Sequence, residues 1–184
     1  MYRLLLLSML TIIPVSLFAE DIDKVDIEQS LIGVMSKDKF KPVGHATFSI
    51  MFWDLYHSQL LTTSGKYPII AFDDKLIYEI HYLAKISNKD LIKRTIQEWQ
   101  HLGINPNDYQ NYIKQLADLW PDIEKDDKLT LLIDKGQSHF YHNGSYLGAI
   151  NNIEFGQLFL DIWLSENTSE PSIRLDLLGG EVNE

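Results

Sequence analysis

Residues 75–103, KLIYEIHYLAKISNKDLIKRTIQEWQHLG, carry a strand pattern that runs directly into a helix pattern. Over residues 75–83 apolar and polar side chains alternate, which is typical of a strand with one buried face. The predicted buried face consists of Leu76, Tyr78, Ile80 and Tyr82. Ser87 then begins a helix as its N-cap, with Asp90 three residues later as in an acidic variant of the capping box. An apolar stripe at helical spacing follows, and Gly103 marks the helix end. The stretch therefore predicts a half-buried strand followed by an amphipathic helix.

Further strand patterns lie on both sides of this stretch. Residues 43–64 are rich in Thr, Phe, Trp and Tyr, which predicts two strands or one long bent strand. Residues 128–149 predict three strands, and Asn143-Gly144 is a strong signal for a tight hairpin turn between the last two. We also expect the apolar residues between Val25 and Val34 to supply a first strand.

Three more helices are predicted. The first follows Asn105, with Pro106 at the first helical position, and the others cover about residues 152–164 and 171–178. In the helix over residues 152–164, Ile153 is among the side chains expected to be buried. Because the strand connections are short or lead through a helix pair, we predict an α+β domain whose mainly antiparallel sheet carries helices on one face.

The first 19 residues have the order of segments that a signal peptidase recognises. A short basic start that contains Arg3 precedes an apolar segment over residues 4–17, and Ala19 supplies a small residue before an acidic stretch. We therefore expect Met1–Ala19 to be a cleaved signal peptide, residues 20–184 to form one domain, and a Gram-negative periplasm to be its location. An uncleaved anchor is the weaker alternative, because a spanning helix needs about 20 predominantly apolar residues.

Charge and cysteine content exclude several classes of partner and site. The chain has 16 basic and 26 acidic residues and a formal net charge of −10. Such a chain repels nucleic acid and anionic lipid surfaces. It has no cysteine, so disulfides, thiolate zinc sites and lipid attachment to a cysteine are excluded. We therefore expect neither a nucleic-acid partner nor a stable membrane anchor after cleavage, and the oligomeric state is left open.

The sequence motifs give no support for a cofactor or a metal. G-x-G-x-x-G, G-x-x-x-x-G-K-[ST] and G-x-S-x-G are all absent. His139 and His142 lie three apart on a predicted strand, so they point to opposite faces and do not chelate one ion. The acidic pairs at residues 73–74 and 126–127 adjoin predicted strand starts, where turn and solvation roles are commoner than catalysis. We expect no cofactor and no metal.

Arg94 is the residue whose position most suggests a binding site. It lies about 100° from Thr95 around the predicted helix, at the edge of the apolar stripe, where its guanidinium can reach a cleft between helix and sheet. Tyr78 and Tyr82, on the apolar face of the preceding strand, can present their phenols to the same cleft. The alternative is that Arg94 extends over the rim to a surface acid and both tyrosines belong to the core. Both interpretations stay open for the three residues together.

A series of short motifs occurs in a distinctive order along the chain. They are Val43-Gly44-His45-Ala46-Thr47-Phe48, Phe52–Leu61, Tyr78-Glu79-Ile80-His81-Tyr82-Leu83, Thr95–Gly103, Pro121-Asp122-Ile123, Phe140-Tyr141-His142-Asn143-Gly144, Phe159–Leu164, Ser165–Ser169 and Arg174–Gly179. In this order they resemble the bacterial, exported branch of the chalcone isomerase-like superfamily. The resemblance implies an open-faced β-sandwich, in which a large antiparallel sheet is packed by a layer of helices with a ligand cleft between them. It further implies one of two activities, since plant members cyclise chalcones to flavanones and other members bind fatty acids through an Arg and a Tyr.

The resemblance transfers the plant catalytic residues only in part. It places Arg94 where plant enzymes carry an active-site Asn, and Ser87 where they carry a catalytic Tyr. Thr47 or Ser49 matches the Thr on the early strand, while residues 36–42 offer only lysines in place of the Arg before the long hairpin. Loss of a phenol and gain of a cation argue against the plant reaction. They favour an anionic amphipathic ligand, because Arg binds a carboxylate through two parallel hydrogen bonds.

Three functions follow from the sequence. The leading hypothesis is a periplasmic chalcone isomerase-like protein that binds a small apolar or amphipathic ligand, fatty-acid-like or phenolic. Arg94 would hold the polar or anionic head of this ligand, with Tyr82, Tyr78 or Thr47 beside it. The alternative is an isomerase of the intramolecular-lyase type, in which Arg94 stabilises a developing oxyanion. The third is a non-catalytic structural or interaction protein of the cell envelope.

Overall fold

Six strands form one antiparallel sheet in the computed structural model, which describes residues 30–180. They lie in the sheet in chain order, so each strand pairs with the next one along the sequence. The strands are β1 (Lys41–Ile50), β2 (Trp53–Thr62), β3 (Leu76–Tyr82), β4 (Lys128–Asp134), β5 (Gln137–His142) and β6 (Ser145–Ile150). Tight turns join β1 to β2, β4 to β5 and β5 to β6, and a helix pair separates β3 from β4. The predicted antiparallel sheet of an α+β fold is confirmed.

Five helices are present within residues 30–180. They are α1 (Leu31–Lys37), α2 (Asn88–His101), α3 (Pro106–Leu119), α4 (Ile153–Leu164) and α5 (Pro171–Leu177). The first four begin after a residue whose side-chain oxygen accepts a hydrogen bond from a backbone N–H of the first turn. These capping residues are Ser30, Ser87, Asn105 and Asn152. The predicted helix starts at Ser87 and at Asn105 are therefore confirmed, since local side-chain chemistry determines both.

The main core lies between one face of the sheet and helices α2 to α5. Aromatic rings fill its centre, where Phe140 of β5 contacts Phe159 of α4 and Trp120 with ring centroids 5.8 and 5.7 Å apart. The buried Trp99 connects α2 to α4, because its Nε1 donates a hydrogen bond to Leu158 O at 3.0 Å. This hydrogen bond fixes α2, the helix that carries Arg94, against α4.

Helix α1 corrects the later part of the strand that was predicted between Val25 and Val34, whereas residues 25–29 lie outside the described residues. Ser30 Oγ accepts a hydrogen bond from Gly33 N at 3.2 Å, which favours a helical turn over an extended chain. Leu31 then packs against Ile77 and Leu132, which point to the face of the sheet away from the main core. Helices therefore lie on both faces of the sheet and not on one face as predicted, although the second face carries only this short helix.

The expected burial of Ile153 was wrong, since its side chain is exposed. Ile153 is the first residue of α4 and lies over the turn between β4 and β5. A Cβ added to Gly136 in that turn would lie 2.7 Å from the Ile153 side chain. The residue therefore packs on a surface turn, while Phe155 and Phe159 of the same helix enter the core as predicted.

The expected signal peptide, Met1–Ala19, lies outside the described residues. Within residues 30–180, none of the helices has the length and apolar character that a membrane-crossing segment needs.

Candidate ligand-binding cavity

A cavity of about 410 Å³ lies between the sheet and helices α2 and α4. Its volume is within the range of about 300–1,000 Å³ that is typical of small-molecule sites. Aliphatic and aromatic side chains form most of its wall, including Ile80, Leu129, Leu131, Phe140, Phe159 and Ile162. Charged side chains of α2 stand at its rim. The cleft that the sequence suggested beside Arg94 is therefore present.

Three tyrosines line the sheet side of the cavity. Tyr56 on β2 and Tyr82 on β3 are directly opposite in the strand register, and their ring centroids are 6.1 Å apart. Tyr78 lies four residues before Tyr82 and therefore on the same face of β3. Phe48 on β1 stacks on Tyr56 at 5.1 Å and extends this aromatic row to the edge of the sheet.

Tyr56 is held by a hydrogen bond in which its phenol is the acceptor. Trp163 Nε1 on α4 donates to Tyr56 Oη at 3.0 Å. Burial is the main cause that raises the pKa of Tyr56 to about 12. The Trp163 hydrogen bond and Arg94 lower this pKa, while Glu170 and Glu98 raise it further. At neutral pH the phenol therefore keeps its proton and can donate it in a hydrogen bond to a ligand.

Two polar groups on the cavity wall are buried without a hydrogen-bond partner among residues 30–180. They are Trp120 Nε1 and Tyr78 Oη, although the hydroxyl of Ser58 is close enough to Tyr78 to lower the pKa of its phenol. Burial raises the pKa of Tyr78 well above its usual range, and it also raises the pKa of Tyr82. Because unpaired buried donors are rare in folded proteins, each such group calls for a water or ligand partner. The cavity wall can thus bind a polar group of a ligand as well as an apolar chain.

Arg94 reaches the rim of the cavity as part of a small charged network. Its Nη2 lies 2.7 Å from Glu98 Oε1, one helical turn further along α2. Ser169 Oγ donates to the other carboxylate oxygen of Glu98, also at 2.7 Å. The side chain of Glu98 is 8% exposed, whereas that of Arg94 is 55% exposed. Since a guanidinium has five N–H donors, the bond to Glu98 leaves several donors of Arg94 available at the rim.

Comparison with known proteins assigns the chain to a family. The family model described as chalcone isomerase-like matches residues 19–179. The chain belongs to the chalcone isomerase-like family. A relative from Haemophilus influenzae, described as an uncharacterized protein, is 25% identical over 140 residues, which cover 76% of this chain and 68% of the relative.

A solved structure agrees with this assignment at the level of the fold. The crystal structure of a fatty-acid binding protein from Arabidopsis thaliana superposes with a TM-score of 0.60. The match covers 77% of this chain and 87% of the plant chain, at 14% sequence identity. The chalcone isomerase-like fold inferred from the motif order is confirmed.

In this chalcone isomerase-like chain, Thr47 lies outside the cavity, contrary to its proposed place beside Arg94. Side chains alternate along β1, and its neighbours Ala46 and Phe48 pack against the main core. Thr47 is exposed on the other face, where its Oγ1 is hydrogen-bonded to His57 Nδ1 at 2.9 Å. Ser49 follows the same alternation and donates a hydrogen bond to Asp54 Oδ1. Neither side chain can reach a ligand in the cavity.

Ser87, which the resemblance placed at a catalytic Tyr position, has a structural role in this chalcone isomerase-like protein. Its Oγ caps α2 by accepting from Asp90 N, and it also donates to the Asp90 carboxylate. The cavity wall does not include it. This chain therefore has no phenol at the position that the resemblance matches to the plant catalytic Tyr.

Tyr56 and Glu98 are cavity residues that the sequence had not singled out. For Tyr56 the available signal was its spacing from Ser58 and Leu60, which are both buried on β2. For Glu98 the signal was its position four residues after Arg94, the spacing of an ion pair on a helix. Neither pattern identifies a cavity residue by itself. Tyr56 also requires the pairing of β2 with β3, and Glu98 requires its contact with Ser169.

The histidines and acidic pairs that the sequence flagged lie away from the cavity. His142 Nε2 is 3.0 Å from Asp127 Oδ2, and Asn143 Nδ2 donates to the other oxygen of that carboxylate. The bond from Asn143 is the main cause that lowers the pKa of Asp127 to about 2, and the bond from Glu124 N and the contact with His142 lower it further. Within residues 30–180, no cluster of three or more His or acidic side chains is arranged to hold a metal.

Proposed function

We propose that this chalcone isomerase-like protein binds a small amphipathic ligand, fatty-acid-like or phenolic, in the cavity between the sheet and helices α2 and α4. The supporting observation is the cavity itself. Its volume of about 410 Å³ and mostly apolar wall suit a hydrocarbon or ring system, and Arg94 and Tyr56 supply hydrogen-bond donors. The plant neighbour in the structural comparison is described as a fatty-acid binding protein, and its ligand class is consistent with this proposal.

The head group of the ligand would lie at the rim, beside Arg94. The donors of Arg94 that Glu98 leaves free face a carboxylate or a phenolate oxygen, and the protonated Tyr56 phenol supplies a further donor. Arg94 also lowers the pKa of Tyr56, so the two groups act on the same region. Tyr82 and Tyr78 would contact the ligand further along β3.

An isomerase remains the second candidate, with Arg94 stabilising a developing oxyanion. The tyrosines of the cavity could assist such catalysis as hydrogen-bond donors but not as bases. The pKa values of Tyr56, Tyr78 and Tyr82 are all raised, mainly by burial, so the phenols donate protons in hydrogen bonds and do not act as bases at neutral pH. Turnover of any chalcone or related enone, lost in Arg94→Ala, would instead support the isomerase.

Titration with a fluorescent fatty acid, anthroyloxy-palmitate, tests the role of Arg94. Because a charge-assisted hydrogen bond contributes roughly 1.5–3 kcal/mol, Arg94→Ala is expected to weaken binding by about tenfold or more. Lys114→Ala is the matched control, since Lys114 forms an ion pair with Asp118 at the same helical spacing on α3 and lies outside the cavity wall. Equal affinity in wild type and Arg94→Ala would contradict the assigned head-group position.

A second variant tests the cavity without touching a charge. Ala84 is half-buried at the rim, so Ala84→Trp places a large ring in the opening while leaving the main core intact. Binding of anthroyloxy-palmitate is expected to fall below detection, with a circular dichroism spectrum like that of wild type. Unchanged binding in this variant would show that the ligand occupies another place.

We also propose an extracytoplasmic location, on the strength of the segment order in Met1–Ala19. Expression in a Gram-negative host should yield a periplasmic protein whose N-terminal residue is Glu20. A cytoplasmic protein that retains Met1 would contradict this part of the proposal.

A further inference from the structure

The turn between β1 and β2 exposes four consecutive large apolar side chains. Ile50, Met51, Phe52 and Trp53, which we call the hairpin tip, are between 53% and 98% exposed. Ile50 and Trp53 form the last register pair of the two strands, and Met51 has a positive φ of 57°. A tight turn at such a backbone angle is strained for a side chain as large as methionine. Exposed apolar side chains that adjoin one another commonly mark an interaction site.

The hairpin tip lies at the same end of the molecule as the cavity opening. Ile50 belongs both to the tip and to the cavity wall. Next to the tip, Leu83 N donates to Leu55 O at 2.9 Å, which joins the start of β2 to the chain segment that follows β3. Leu55 and Ala84 in these two segments also line the cavity. The exposed apolar surface is therefore continuous with the wall of the cavity.

Charges of both signs lie around this end, where Asp54 adjoins the hairpin tip and Asp90 and Lys93 of α2 line the cavity, and this mixture favours a zwitterionic lipid surface. Lys93 on the cavity rim is exposed and has no carboxylate within 4.0 Å in the described part of the chain, so it is free to contact a lipid phosphate. The formal net charge of −10 opposes approach to an anionic bilayer. Tryptophan and phenylalanine side chains partition well into the interface between headgroups and acyl chains.

We propose that the hairpin tip inserts into the interface of a zwitterionic phospholipid bilayer and brings the cavity opening against it. Apolar ligands then pass between bilayer and cavity without crossing water. The passage of ligand rests on the proposed function, whereas insertion of the tip does not depend on it.

Site-specific fluorescence tests the insertion. Because the chain has no cysteine, Phe52→Cys and Ile70→Cys each carry a single nitrobenzoxadiazole label. Ile70 is the matched control, since it is 93% exposed and lies in the loop between β2 and β3, at the other end of β2. Both labels report on their own site, so any binding through residues 1–29 affects them alike.

With phosphatidylcholine vesicles the label at position 52 is expected to shift to the blue and become accessible to lipid-borne quenchers, while the label at position 70 does not. The shift should be the same at low and high salt and weaker on vesicles rich in phosphatidylglycerol. No shift at position 52, or equal shifts at both positions, would overturn the proposal. A shift at position 52 that grows with protein concentration in the absence of vesicles would also overturn it, in favour of contact between two copies.

Ligand transfer separates this inference from the proposed function. The double variant Phe52→Ser/Trp53→Ser should bind anthroyloxy-palmitate as wild type does, because neither side chain lines the cavity. Its transfer of the probe to phosphatidylcholine vesicles should be at least about tenfold slower, since burial of each aromatic side chain is lost. Ile70→Ser/Phe72→Ser is the control. Failure of wild type to bind the probe would contradict the proposed function alone, whereas equal transfer rates in all variants would contradict the role of the tip.

Discussion

The guanidinium of Arg94 is not a free cation at the cavity rim. Glu98 accepts one of its hydrogen bonds, and Ser169 holds Glu98 in place from the segment before α5. Because Glu98 is nearly buried and Arg94 is half-exposed, the carboxylate fixes the position of the cation more than the reverse. In the proposed function, a carboxylate ligand would share Arg94 with Glu98. This sharing would lower the affinity of the ligand, while the bond to Glu98 sets the direction in which the other N–H groups of Arg94 point.

Glu98→Gln should consequently strengthen the binding of a carboxylate probe. The substitution keeps an oxygen for Arg94 and removes a negative charge close to the ligand head, so the affinity for anthroyloxy-palmitate is expected to rise by about threefold to tenfold. Asp118→Asn on α3, the acidic partner of Lys114, gives the matched control and should leave the affinity unchanged. Isothermal titration measures both. Weaker binding in Glu98→Gln would mean that Arg94 pairs with Glu98 and does not bind the head group of the ligand.

The raised pKa of Tyr56 makes the free energy of unfolding depend on pH in the alkaline range. Its pKa is about 12 in the folded protein and 10.0 in an ordinary environment, so the folded state holds the proton more tightly. The resulting stability is complete below pH 10 and is lost as the pH rises from 10 towards 12. In Tyr56→Phe this part of the pH dependence should be absent, so its deficit in unfolding free energy relative to wild type shrinks over that range. Urea unfolding at pH 8, 10 and 11 measures it, and a constant deficit would contradict the assignment.

The residues of the site differ in how far the sequence predicts them. Tyr78 and Tyr82 follow from simple alternation on β3, and the place of Arg94 at the cavity follows from the helical period. Their roles in ligand binding stay predictions. Thr47 was wrongly assigned to the cavity because the resemblance to the family gave its position along β1 but not the face of the sheet to which its side chain points. Tyr56 and Glu98 needed the register between β2 and β3 and a contact 71 residues along the chain, neither of which a single sequence encodes locally.

At the scale of elements, the packing of α5 on β1 depends on the absence of a side chain at Gly44. A Cβ at this position would lie 2.2 Å from Asp176 O and 2.5 Å from Leu177 O, both in the backbone of α5. The strand register is also shifted between Pro42 and Gly44, so the strand bends where the helix crosses it. Helix and strand thereby approach each other more closely than any residue with a side chain permits.

Gly44→Ala is therefore expected to destabilise the fold strongly. Since the clash is with backbone atoms, which cannot rotate away, the loss of unfolding free energy should be about 3 kcal/mol, at the upper end of the usual range for overpacking. His45→Ala at the exposed neighbouring position should change it by less than about 0.5 kcal/mol. Thermal and urea unfolding measure both variants. Equal stability of the two would show that α5 can move off β1 at little cost.

Elements with strong local signals were the ones that the sequence predicted. The cap at Ser87, the Asn105-Pro106 start and the Asn143-Gly144 turn each depend on residues close together in the chain. Helix α1 was predicted as a strand because its seven residues are too few for a helical period, and its docking on Ile77 and Leu132 is a tertiary contact.

For the whole molecule, one end of the sheet and helix layers combines three features. The cavity opens there, the free cation Lys93 lies on its rim, and the exposed hairpin tip adjoins it. At the other end of β2 lies the loop between β2 and β3, where Tyr67 is hydrogen-bonded to Gln157 of α4. This arrangement is consistent with the proposed exchange of an amphipathic ligand with a bilayer at the end where the hairpin tip lies.

Occupancy of the cavity is the claim on which the account depends most, and native mass spectrometry of the protein as isolated from cells measures it directly. Wild type is expected to carry one small molecule per chain, which extraction with organic solvent releases, and Ala84→Trp is expected to carry none. A wild-type protein that is isolated empty, and that takes up neither fatty acids nor phenolic compounds when they are added, would contradict the account.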